Sequence, residues 1–281
     1  MCVITAVFAG VSIASAQTFI SVDFPGATAT TLTGGPNPQG TSVGNETDAA
    51  GLVHGFTLDR NGNFTVFDPP GSTATTPNFI SPQGIIVGGF VDASGVSHGF
   101  ILRGGQFTTL DFPGSPGTQL TGINPSGEIS GFRCDVASCA ARPFHSFTVS
   151  KHGQFTSFDP PGAVSSTAST VNPSGTVVGA YTDAAGVFHG YQLSHGTFTT
   201  DDYPGSVFTF NGGNNPENDI VGAYIDTAGV VHGFLLRNGT FSTIDFPGAT
   251  LTDPTGINPG GTIVGVYNDA AGVGHGFIRT P

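Results

Sequence analysis

Short apolar runs, each only a few residues long and set between words rich in Gly, Pro, Asp and Asn, recur along this chain with a period of about 43 residues. No segment sustains the 3.6-residue spacing of an amphipathic helix; the runs alternate in the manner of strands. Two words mark the period. D-F-P-G stands at Asp23–Gly26, Asp111–Gly114, Asp202–Gly205 and Asp245–Gly248, with modified forms at Phe67–Gly71 and Phe158–Gly162. H-G-F or a close variant follows each, at His54, His98, His145, His189, His232 and His275. Starting each unit at Gly-x-Phe gives repeats 17–61, 62–104, 105–152, 153–195, 196–238 and 239–281.

Within the last unit the pattern predicts strands at Phe241 to Asp245, Thr255 to Asn258, Thr262 to Tyr267 and His275 to Ile278. The connections order them. Asn124-Pro125-Ser126-Gly127, echoed at Asn172 and Asn258, carries the Pro and Gly positions of a type I turn and makes a hairpin of the second and third segments. Asp183-Ala184-Ala185-Gly186 and its copies join the third to the fourth. Asn61-Gly62 and Asn238-Gly239 are hairpin signals leading into the next unit, so only the stretch after D-F-P-G, about ten residues, is long enough to cross between sheets. Each sheet then borrows its outermost strand from the following repeat, and the last must take it from the chain's own beginning, at Phe19 to Asp23. The expected fold is all-β, a six-bladed β-propeller of four-stranded antiparallel blades closed by the N-terminal strand. An open solenoid is the rival, but it would call for atypical capping repeats at its ends.

Composition narrows the partners. With 7 basic against 19 acidic residues and a net charge of −12, a nucleic acid or an anionic membrane surface would be repelled. No segment reaches the roughly 20 apolar residues of a membrane span, so no membrane insertion is expected. Residues 1–16 read as a signal peptide, with an apolar run from Val3 to Ile13 and an Ala14-Ser15-Ala16 cleavage site. The expectation is a secreted or periplasmic protein, monomeric, with Cys134 and Cys139 paired as a disulfide.

The run TGINPSGEISGF, followed by a His-small-Phe word, together with GQFTTLDFPG, resembles the bacterial extracellular repeats of the HAF family. The resemblance covers residues 17–281. It departs in carrying Gly or Ser where that family usually has Ala, and D-F-P-G where it often ends in a Leu-Gly-rich stretch. It implies an exported, propeller-like repeat protein and lends no catalytic residues.

Each repeat places a turn Asp six residues before its His, ten in the third repeat, and a second Asp near it through the following hairpin, as Asp68 lies near His54. Such a cluster suits metal binding or acid-base chemistry. Six copies suit a buried hydrogen-bond network that holds each blade. The Asn residues at 37, 124, 172, 215 and 258, interrupted by Ser81, carry a similar choice between calcium ligation and turn formation. The twelve repeated Asp residues are expected on one acidic face.

Function is sought where one repeat departs from the rest. The third inserts Cys134 to Pro143, flanked by Arg133 and Arg142, a basic loop suited to an anionic group or simply a surface insertion. The fifth carries Tyr203 and then Phe208, Phe210 and Asn211 in its crossover, a loop whose aromatics are able to stack on a sugar or to pack between blades. Glu46 replaces the Phe or Tyr of other repeats, and Asp253 precedes an inner strand; as a carboxylate pair they are candidates for glycoside cleavage or lyase chemistry. Asn78, Gln119, Asn211 and Asp253 are candidate axial oxygen donors for calcium; no cofactor is required by the pattern. No G-x-S-x-G, P-loop or H-E-x-x-H motif is present. These features favour a ligand-binding protein for a polysaccharide or cell-surface component, with a propeller hydrolase or lyase as the alternative.

Overall fold

The computed structural model describes residues 18–281; the expected signal peptide lies outside them. The described residues form 24 strands and no helix, and none is a helix able to cross a membrane. The strands are grouped as antiparallel meanders of four. In the fifth repeat Phe208–Asn214, Ile220–Ile225, Val231–Arg237 and Thr240–Ile244 pair in sequence order. The last meander runs Leu251–Ile257, Ile263–Asn268, Gly274–Thr280 and takes its fourth strand from Thr18–Val22, with Thr18 opposite Thr280 and Val22 opposite Gly276. The fold is that of a β-propeller.

The H-G-F word builds the core. Phe56, Phe100, Phe147, Tyr191, Phe234 and Phe277 are all fully buried, each in the third strand of its meander. A Gly in the adjacent strand makes room: a Cβ on Gly88 would stand 2.7 Å from the Phe100 ring and 2.3 Å from the Thr76 carbonyl oxygen. The aromatic of D-F-P-G and that of the next G-x-F complete a trio, as in Phe24, Phe56 and Phe64, with centroids 5.0–5.7 Å apart. Where the word reads D-P-P-G the residue before the Asp becomes Phe67, which packs on Phe100 and Phe107, or Phe158, which packs on Phe198. Burying each such ring stabilises the fold by roughly 1.5–3 kcal/mol.

The turns follow their chemistry. Asn124 Oδ1 accepts from the backbone N–H of Ser126 and Glu128, and Ser81 does the same work through Oγ for Gln83 and Ile85. The Asn amide then reaches the next repeat, from Asn124 to the Asn172 carbonyl and from Asn258 to that of Pro36. Turn formation therefore accounts for these Asn residues, and their turns from all the repeats surround one narrow cavity of about 110 Å³. Asp48 Oδ1 caps its own turn by accepting from Ala50 and Leu52, while Gly51 takes φ +83°.

Neighbouring meanders are tied near the axis. Thr33 donates to the Pro77 carbonyl, Asn78 to Leu120, Thr121 to Ala168, and Thr255 to Leu32, the last bond running from the final repeat to the first. Val22, Leu32, Phe56, Leu58 and Val264 pack as one apolar cluster across the same junction.

The crossovers are shorter than expected. Only residues 245–250 separate Thr240–Ile244 from Leu251–Ile257. The pattern starts the inner strand at Thr255, yet Pro254 already sits inside it, opposite Gly265. On its far side this strand makes only the parallel bridge of Leu251 with Val231, so at Pro254 a strand partner lies on one side only, a setting in which proline is tolerated.

Candidate functional site

At the crossover end of the strands each His lies between two carboxylates. His275 Nδ1 is 2.5 Å from Asp23 Oδ1 and its Nε2 is 3.5 Å from Asp269 Oδ2; the same clamp recurs at His54, His98, His145, His189 and His232. An aromatic often stacks on the imidazole, as Tyr267 does on His275 at 5.0 Å. The His side chains keep 20–30% of their surface exposed, so the network is a half-buried rim instead of the buried one expected. Asp23 hydrogen bonding raises the pKa of His275, partly offset by desolvation.

Along the axis, register defines a level at which every inner strand presents one side chain: Thr31, Thr76, Gln119, Thr167, Phe210 and Asp253, opposite Asn45, Gly89, Phe132, Ala180, Ala223 and Val266. Two openings meet here. One, of about 540 Å³, is bounded by Arg142, Tyr181, Phe188, Phe208, Phe210 and Asp253, among others. The other, of about 390 Å³, includes Asn78, Gln119, Phe132, Arg142 and Phe210. Arg142, Thr167 and Phe210 border both, so they form one continuous axial cavity.

Arg142 enters this cavity because the inserted loop is held on both sides. Cys134 is bonded to Cys139, and the loop carbonyls of Ala137 and Ser138 accept from Ser97 of the second repeat. On the other side the Arg142 guanidinium lies 3.9 Å from the Phe188 ring centroid, 5.9 Å from that of Phe144, and donates to the Thr182 hydroxyl. Phe188 in turn packs on Phe208 at 4.7 Å. Asp253 has part of its surface on the cavity, but its Oδ1 is shut off from solvent and has no hydrogen-bond partner. Burial pushes its pKa up to about 6.

Several sequence candidates fall elsewhere. Tyr203 takes the place of the D-F-P-G phenylalanine and stacks on Tyr224 at 3.6 Å, in the core of its meander. Phe208 to Asn211 belong to an inner strand and not to a crossover loop. Asn211 is fully buried between meanders, donating to the Tyr191 carbonyl and to Asp201 Oδ2. It is therefore no axial donor. Arg133 pairs with Asp135 and lies over Phe112, lining a separate surface cleft. Glu46 is buried opposite His54, in the column that stacks on His elsewhere, and burial raises its pKa. It borders neither axial opening, so Glu46 and Asp253 are not a pair. Of the calcium candidates, Asn78 and Gln119 line one opening and Asp253 the other. Among the described residues no group of three His, Cys, Asp or Glu is placed to hold a metal.

Two contributors were missed. Phe188 and Phe144 immediately precede a His where other repeats have Val53, Ser97, Val231 or Gly274, a departure visible in the sequence.

No protein-family profile matches the chain, and no curated protein does. Solved structures do resemble it. A putative TolB from Agrobacterium tumefaciens superposes with a TM-score of 0.61 at 16% identity, over 89% of each chain. Virginiamycin B lyase from Staphylococcus aureus gives 0.55 at 12%, over 94% of this chain and 99% of its own. A fucose-specific lectin from Aleuria aurantia gives 0.53 at 12%, over 92% and 93%. At such identities the likeness is one of fold.

Proposed function

We propose that this chain is an exported six-bladed β-propeller of the HAF type, its ring closed by the N-terminal strand, that binds an extracellular ligand in the axial cavity at the crossover end. The ligand class is a polysaccharide or a cell-surface component. One observation carries the reading: departures from the repeat in three different units, Arg142, Phe208 with Phe210, and Asp253, border the same cavity of about 540 Å³. A repeat scaffold alone gives no reason for its irregularities to meet. The cavity's aromatic wall and few polar groups are the usual make-up of a ligand site, and the lectin among the structural neighbours carries the same fold to a sugar. Retention of the protein on a glycan and polysaccharide panel tests this. Phe210→Ala is expected to weaken any binding at least tenfold with an unchanged melting temperature, and a folded protein retained by no member would overturn the proposal.

A second reading, a hydrolase or lyase, rests on Asp253. A carboxyl with its pKa near 6 can exchange protons near neutrality, and a lyase is among the structural neighbours. In this version calcium would draw on the oxygens of Asn78, Gln119 and Asp253. Turnover of a lactone, phosphotriester or glycoside that vanishes in Asp253→Asn would support it. A melting temperature unmoved by calcium and by chelator would remove the metal-assisted form.

A further inference from the structure

We infer that the axial cavity takes a cationic ligand, its primary ammonium group held by Asp253 and its less polar face laid against Phe208 and Phe210. This rests on the cavity being the ligand site. Among the described residues no donor reaches the Asp253 carboxylate; its Oδ1 is shut off from solvent, which leaves Oδ2 to meet a ligand, and the other five side chains at its level, Thr31, Thr76, Gln119, Thr167 and Phe210, are uncharged. The cation among the residues that line the cavity, Arg142, lies over Phe188 and donates to the Thr182 hydroxyl. The cavity thus holds a carboxylate with an unmet need for both a hydrogen-bond donor and a positive charge.

The alternatives meet that need less well. A hydroxyl would supply the donor and leave the charge uncompensated in a medium of low dielectric. A quaternary ammonium would supply charge without an N–H. A divalent ion wants six or more oxygens, several of them charged, and finds one carboxylate. A primary ammonium gives both, and the face of Phe210, at the equivalent position of the adjacent strand, favours a cation beside it. The Asp-rich rim above the cavity and the net charge of −12 draw cations toward the opening. Within the polysaccharides, the matching class is an amino-sugar polymer with free amines.

Calorimetry with a glucosamine oligosaccharide and its N-acetylated counterpart of equal length tests the inference at pH 6.5 and 5.0. The amine form is expected to bind at least tenfold more tightly to the parent protein at pH 6.5. Protonation of Asp253 should weaken it roughly fivefold to tenfold at pH 5.0. Asp253→Asn should erase the preference with a melting temperature no lower than the parent's. Equal or tighter binding of the acetylated form to the parent, lost in Phe210→Ala, overturns the cationic ligand and leaves the cavity as the binding site. Binding of either form that Phe210→Ala does not affect overturns both. An Asp253→Asn protein that melts early and loses both forms alike makes Asp253 structural and also overturns the inference.

Discussion

Asp23 Oδ1 and His275 Nδ1 lie 2.5 Å apart, although 252 residues separate them in the chain. Five other His residues make the same bond to an Asp only 13 or 14 residues on, so this one copy joins the two ends of the fold non-covalently.

The pair sets a pH dependence. The pKa of His275 is raised in the folded state, chiefly by the Asp23 hydrogen bond; His54 is raised likewise by Asp68, and His98 and His232, against desolvation, by Asp111 and Asp245. Stability from a raised His is fully present below its ordinary value near 6.5 and is lost as pH climbs through the folded value. Asp23→Asn should therefore lower stability at pH 5.5, by up to about 1 kcal/mol for so exposed a pair, and the gap to the parent should narrow by pH 8.5. Turn residues such as Asp269 have lowered pKa values, first through the Val273 N–H, and their contribution is lost as pH falls through the acid range. Thermal melts of both proteins across pH 3 to 9 check both limbs.

Asp253 acts in the opposite sense. Its pKa of about 6 stands above the ordinary 3.8, so ionising it opposes folding and stability drops as pH rises between those values. At pH 7.5, Asp253→Asn should stabilise the unliganded protein by up to about 3 kcal/mol. Denaturant melts of parent and variant at pH 5 and 7.5 measure it, the difference being larger at the higher pH.

Asp201 and Asn211 occupy two positions that are apolar in other repeats, such as Leu110 with Leu120 and Ile244 with Pro254. They hydrogen-bond each other at 3.1 Å, and Gln192 donates to the other Asp201 oxygen. Asn211→Leu alone should destabilise by about 1–3 kcal/mol, because it strips a buried carboxylate of a donor. Adding Asp201→Leu should recover much of that loss. A double-mutant cycle by chemical denaturation should give a coupling energy of about 1 kcal/mol or more.

How much of this was legible follows from period two. The turn words, the strand order and the His flanked by two Asp could be read because each is repeated and each fixes local backbone chemistry. The inward direction of a single residue could not. Phe210 and Asn211 are adjacent, yet one faces the axis and the other is buried between meanders. Without the start of the inner strand, which the pattern placed at Thr255 and not at Leu251 in the last repeat, the alternation had no phase. Tyr203 was readable in principle, since it stands in the D-F-P-G column that is core everywhere else. The reach of Arg142 onto Phe188 was not, being a contact between repeats.

The Cys134 to Cys139 bond closes a short loop, worth about 2 kcal/mol on loop-closure grounds. Reduction, or Cys134→Ser with Cys139→Ser, should lower the melting temperature modestly. It should also weaken ligand binding, because the loop holds Arg142 over Phe188, which packs on Phe208 in the cavity wall. Melting curves and affinities with and without reductant separate the two effects.

The junction of the first and last repeats has one more consequence. Thr18 lies opposite Thr280 in the same way that Thr240 lies opposite Arg237, where Asn238 and Gly239 make the turn. Supplying Asn-Gly between Thr280 and Thr18 and cutting the chain at a different hairpin would yield a circular permutant with the same ladder of strands. The position of the seam is thus a matter of which hairpin is left open, not a requirement of the architecture.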